Sequence, residues 1–112
     1  MKYDLEERVA KFGEQIIIFT RKVPNNITTS PIVSQLIRSA TSIGANYMEA
    51  NQASSKKDFK NKVRISQKEA NETKHWLRML ATAYPEQKEG CKCLWQEAHE
   101  LTLIFATISK NS

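Results

Sequence analysis

Glu72 and His75 stand three residues apart in NETKHW, a Glu-x-x-His spacing with which helical bundles hold paired metal ions. That chemistry needs two such motifs and a further glutamate from each of two neighbouring helices. The only other histidine is His99, and Gln96 stands where its glutamate would be. Glu72 and His75 also diverge by about 60° on a helical wheel, which leans His75 toward the charged side. The metal reading is weak, and no cofactor is implied. Cys91 and Cys93 are the only cysteines. On a helix they point about 200° apart, so they do not pair with each other, and no Cys or His pair completes a zinc set. No Gly-x-Ser-x-Gly elbow supports a serine nucleophile, and three isolated glycines make no phosphate loop.

Two further patterns remain. Gln35, Ser39, Ser42, Asn46 and Glu49 follow one another at steps of four and three, a polar seam along one edge of an apolar face. Ile65, Glu69, Glu72, Trp76 and Met79 make a comparable flank, with two carboxylates one turn apart. Half-buried carboxylates need donors, and Arg38, Lys62, Asn46 and the Trp76 indole are available. A satisfied network of this kind fixes helix register, so the seam reads as architecture and not as an acid–base pair.

The second pattern is basic. Lys56, Lys60, Arg64 and Lys68 form an i,i+4 ladder, flanked by Lys57 and continued by Lys74 and Arg78. From Lys56 to Arg78 eight basic residues stand against three acidic ones. That excess equals the net charge of +5 of the 112-residue chain, whose pI is near 9.3. Lysines often populate a merely solvated face. Their concentration on one helix instead suits phosphate contact with structured RNA or duplex DNA. Phe59 belongs to the core stripe, which leaves this helix face without an aromatic platform for single-stranded bases.

The elements that position these groups are four amphipathic helices, expected over residues 5–22, 31–51, 55–83 and 87–108. Asp4 caps the first, with Glu7 at capping-box spacing. Its stripe is Leu5, Val9, Phe12, Ile16 and Phe19. Ser30 and Pro31 read as N-cap and first position of the second, whose stripe is Val33, Leu36, Ala40, Ile43 and Tyr47. In the third, Phe59, Val63, Ser66, Ala70, Thr73, Leu77, Leu80 and Tyr84 keep the four-three spacing of a left-handed bundle, and Tyr84-Pro85 ends it. Leu94, Ala98, Leu101, Phe105 and Ile108 form the stripe of the fourth. The expected fold is a single all-α domain, an antiparallel up-down-up-down four-helix bundle. Ile16 to Phe19 and Leu103 to Phe105 are more apolar than a monomer needs, which implies an oligomer. The charged opening MKYDLEERVA lacks the apolar stretch of a signal peptide, and the longest apolar run falls far below the ~20 residues of a spanning helix. A cytoplasmic protein is expected, with no membrane partner.

The stretch from Leu36 to Leu80 resembles the four-helix-bundle family of proteins encoded in 23S rRNA intervening sequences, to which the accessory proteins of diversity-generating retroelements are related. Gln35-Leu36-Ile37-Arg38-Ser39, Thr41 to Asn46, Glu49-Ala50, Ser55 to Phe59 and Lys68-Glu69-Ala70 carry the resemblance, with Glu72-Thr73 and Trp76-Leu77. Met48 departs from the pattern, which places a charged residue before Glu49. The resemblance implies a ring-like homopentamer without known catalysis. By analogy with the retroelement relatives, it implies binding of nucleic acid and a reverse transcriptase. The family's polar positions fall on Arg38, Ser42, Asn46, Glu49, Glu69 and Glu72. Function then reads as a non-enzymatic oligomer that binds nucleic acid through its third helix. The alternative is a scaffold for another protein, such as a reverse transcriptase or a ribosomal-RNA-associated factor. An enzyme built on Glu72 and His75 comes last.

Overall fold

The computed structural model describes residues 4–111, so the first three residues of the charged opening lie outside it, with Ser112. Four α-helices follow one another: α1 (Leu5–Thr20), α2 (Thr29–Asn51), α3 (Lys56–Ala83) and α4 (Lys88–Lys110). A single 3-10 turn, Pro85–Gln87, joins the last two, and no strand occurs among the described residues. The long dimension of 44 Å matches α3, whose 28 residues rise about 42 Å. None of these helices is long and apolar enough to cross a membrane.

Local chemistry sets the ends. The Asp4 carboxylate accepts from the Glu7 N–H at 3.1 Å and starts α1. Residues 21 and 22, read from sequence as helical, instead close α1 in a tight turn through bonds from Arg21 and Lys22 to Ile18 and Phe19 carbonyls. The start of α2 also differs from the sequence expectation. Asn26, not Ser30, supplies the cap: its Oδ1 accepts from the N–H groups of Thr28 and Thr29, each at 2.9 Å. Thr29 answers by accepting from the Asn26 N–H and donating to the Pro24 carbonyl at 2.6 Å. The helix therefore begins two residues early, at Thr29, with Pro31 still in its first turn. Ser55 caps α3 by accepting from the Asp58 N–H at 3.0 Å. Helix α4 runs two residues past its expected end, to Lys110.

Contacts fix the topology. Glu6 meets Asn51, and Gly13 lies against Thr41, so α1 and α2 are antiparallel. Ser39 pairs with Thr73 and Glu49 with Lys62, which makes α2 and α3 antiparallel. Lys74, in the second half of α3, reaches His99 at the middle of α4. Arg8 forks onto Glu97 at 2.8 Å through two nitrogens and reaches Glu100 at 3.0 Å, closing α1 onto α4. The expected stripes face inward: Phe12, Ile16, Leu36, Ile43, Leu77, Leu80, Leu101 and Phe105 are almost wholly removed from water. Tyr47 on α2 meets Phe105 on α4 with ring centres 5.8 Å apart.

Small hydroxyl residues occupy the α2–α3 seam, where backbones come close. Ser66 donates to the Ile43 carbonyl across the seam at 3.0 Å, and Thr73 donates to Ser39 at 2.9 Å. All three hydroxyl residues are completely buried. Leucine at those positions would push the helices apart; a hydroxyl both fits and finds a partner.

Candidate nucleic-acid interface

The polar seam has the partners that its chemistry requires. Arg38 is the hub: its guanidinium donates to Gln35 at 2.8 Å and Glu69 at 3.2 Å, and pairs closely with Glu72. The Trp76 indole donates to Glu72 Oε2 at 3.0 Å. Lys62 donates to Glu49 at 2.7 Å, and this bond, with the charge of Glu49, holds the Lys62 pKa above its usual value. Asn46 does not reach the carboxylates; it donates to the Ser42 carbonyl one turn back, and Ser42 does the same to Arg38. The network therefore runs Gln35–Arg38–Glu69/Glu72–Trp76 with Asn46 and Ser42 beside it. A carboxylate saturated by a guanidinium and an indole is poorly placed to carry protons. His75 is exposed and sits edge-on to Trp76. No cluster of three or more His, Cys, Asp or Glu among the described residues could hold a metal.

The outer side of α3 is different. Lys56, Lys57, Arg64, Lys68 and Arg78 are exposed and Lys60 is half-buried; no carboxylate among the described residues pairs with any of them. Arg8, Arg38 and Lys62 pair with glutamates, while the other exposed cations, Lys11, Arg21, Lys22, Lys88, Lys92 and Lys110, are spread over α1, the turn after it and α4. Unpaired cations at i,i+4 repel one another, by a few tenths of a kcal/mol per pair, and an arriving phosphate relieves that repulsion.

Lys74 departs from the ladder. Its ammonium turns toward α4, 3.2 Å from His99 Nδ1 and 5.1 Å from the centre of the Trp95 ring. Trp95 and His99 stack one turn apart, with ring centres 5.1 Å apart and planes 14° from parallel. The sequence reading therefore missed an aromatic pair beside the basic face. The only trace in the sequence is the four-residue spacing of Trp95 and His99, just off the apolar stripe.

The apolar excess noted in the sequence is divided. Ile16, Phe19 and Phe105 go inside, while Ile17, Ile18 and Leu103 stay exposed, as does Met48 on α2. Ile17 and Met48 edge a groove of about 370 Å³ between α1 and α2, floored by Gly13, Thr41 and Gly44. Leu103, Ile104 and Ile108 line a second, beside Arg8, of about 500 Å³.

Fold and surface together define a small basic protein of four helices, with its charge gathered on one of them. The chain belongs to the 23S rRNA-intervening sequence protein family, whose model matches residues 1–107. It is 31% identical to a solved protein of unknown function from the S23 ribosomal protein family of Bacteroides thetaiotaomicron VPI-5482. That likeness has a TM-score of 0.84 and covers 96% of this chain and 99% of the other. No curated protein matches the chain. The family and the four-helix fold expected from sequence both hold.

Proposed function

We propose that the chain is a non-enzymatic homo-oligomer that binds structured RNA or duplex DNA through phosphate contacts of α3. The observation that carries this reading is concentration: Lys56, Lys57, Lys60, Arg64, Lys68 and Arg78 all stand on α3, and none of them pairs with a carboxylate among the described residues. The exposed Ile17, Met48 and Leu103 support self-association, which would repeat the basic face and multiply weak phosphate contacts. A ring of five is the assembly that the sequence resemblance implies.

The test is fluorescence anisotropy of a labelled structured RNA and a duplex DNA, titrated from low to physiological salt. Binding should weaken with a log–log slope of several displaced counterions. Lys60→Glu combined with Arg64→Glu should abolish it and leave helicity intact. Unchanged affinity in that double variant would place binding elsewhere. Flat curves at low salt would turn the search toward a protein partner.

A further inference from the structure

The Trp95 cluster asks for a ligand that plain phosphate contact does not use. Lys74 is a half-buried ammonium whose neighbours are an imidazole nitrogen and an indole face, with no carboxylate in ion-pair reach among the described residues. Its charge is held by aromatic rings instead of being neutralised.

The distances also say which side of the indole is occupied. Lys74 Nζ and the His99 ring each lie 5.1 Å from the indole centre, yet Nζ is only 3.2 Å from His99 Nδ1. Two groups that close together lie on the same side of the ring. Being four residues later on the same helix, His99 covers the side toward the C-terminal end of α4. The opposite face of the indole looks back along α4 toward the turn of Cys91 and Lys92. Lys92 is exposed, and so is Arg78, one turn beyond Lys74 on α3. Trp95 rests partly against the core and stays partly exposed. Backed by a parallel ring, with Lys74 at the ring and the exposed Arg78 and Lys92 on neighbouring turns, it has the composition of a base-stacking platform.

We propose that Trp95 stacks an unpaired nucleotide base, with Lys74, Arg78 and Lys92 taking the flanking phosphates. The α3–α4 face then prefers RNA or DNA with an unpaired base, as in a loop or single strand, over uniform duplex, which meets only the phosphate contacts of α3. This rests on the phosphate-binding reading of α3 and adds to it. Duplex offers phosphates to the ladder but keeps its bases stacked on each other.

The experiment uses the full chain and two probes, an unstructured single-stranded RNA and a blunt RNA duplex with the same number of phosphates. In a Trp76→Phe background Trp95 is the only tryptophan, since the chain has two. Single strand should quench its emission, and duplex should not. In the otherwise native chain, Trp95→Leu, which keeps an apolar side chain against α3, should weaken single-strand binding by roughly 5- to 100-fold, the worth of one lost stack. Duplex affinity and salt slope should stay as they were. Lys60→Glu with Arg64→Glu should weaken both probes. Equal binding of the two probes with unchanged Trp95 emission would overturn the stacking site and leave the α3 reading standing. Failure of both probes at low salt would overturn the two together. An equal loss for both probes in Trp95→Leu would reduce the cluster to a clamp between α3 and α4.

Discussion

Replacing Gly90 by alanine puts a methyl group where the ring of Phe19 already stands. The new Cβ would lie 2.4 Å from Phe19 Cε1, 3.1 Å from Cζ and 3.2 Å from Gln87 Oε1. Ordinary carbon contact is about 3.5–4.0 Å, so the overlap exceeds 1 Å. It falls on a rigid ring that is only 8% exposed. Overpacking of this kind costs about 1–3 kcal/mol. Against it, alanine is up to ~1 kcal/mol better than glycine within a helix. The backbone poses no obstacle, because none of the described glycines has positive φ. The net expectation for Gly90→Ala is a loss of about 0–2 kcal/mol. Gly13 and Gly44 serve as controls in the same molecule. There the added carbon would sit 3.7 Å from Thr41 Cγ2 and 3.5 Å from Val9 Cγ2, which is normal contact. Gly13→Ala and Gly44→Ala should each gain about 0.5–1 kcal/mol. Thermal unfolding at one fixed protein concentration measures all three. With about 2.1 cal/mol/K per residue, 1 kcal/mol moves Tm by roughly 4 °C in a domain of this size. Phe19→Leu removes the ring edge, so adding it to Gly90→Ala should recover stability relative to the sum of the single effects by about 1 kcal/mol or more. A Gly90→Ala chain as stable as Gly13→Ala, or strict additivity with Phe19→Leu, would refute the reasoning.

The other predictions concern the seam and the thiols. Arg38→Met should cost about 1–2 kcal/mol in urea unfolding, because it strands Glu69, with its side chain 16% exposed, beside Glu72 without their cation. Lys62→Met should change stability far less, since Glu49 is 55% exposed and water replaces its partner. Native protein treated with iodoacetamide near pH 8 should carry one label, on the exposed Cys93, as read by peptide mass spectrometry. Cys91 is buried, and desolvation pushes its thiol from 9.0 to about 11. Folding favours its protonated form, so the contribution is complete below pH 9.0 and is lost as pH rises toward 11. Stability measured across that window should fall less steeply in Cys91→Ala than in the native chain.

Where the sequence can be read, one local rule decides. The stripe on α3 runs unbroken for seven turns, and each of its members from Val63 to Leu80 is buried. The partners of Glu72 were likewise foreseeable, because Trp76 lies one turn away and Arg38 is a long donor on the facing flank. Misreadings arose where a side chain had a choice. Ser30-Pro31 looks like a helix start, but Asn26 reaches two N–H groups first. Asn46 could donate to three glutamates and takes a carbonyl on its own helix. Lys74 lies on the same broad side as the ladder, yet an aromatic pair on α4 captures it, and no periodicity within α3 reports what stands opposite. The stripe does separate the buried Ile16 from the exposed Ile17, because only Ile16 keeps the four-three spacing.

The unpaired lysines and arginines of α3 also have a consequence for motion in solution. In the antiparallel bundle α3 stands diagonally across from α1, whose exposed Glu6, Glu7 and Glu14 leave it slightly acidic. Charge separated across the width of a single subunit gives that subunit a permanent dipole perpendicular to its bundle axis. In the field of any polyanion such a body experiences a torque before it makes contact, and it rotates until α3 leads. On the proposed reading of α3, added salt would slow capture of a polyanion, and reversing the charge of α1 would change the speed of that encounter.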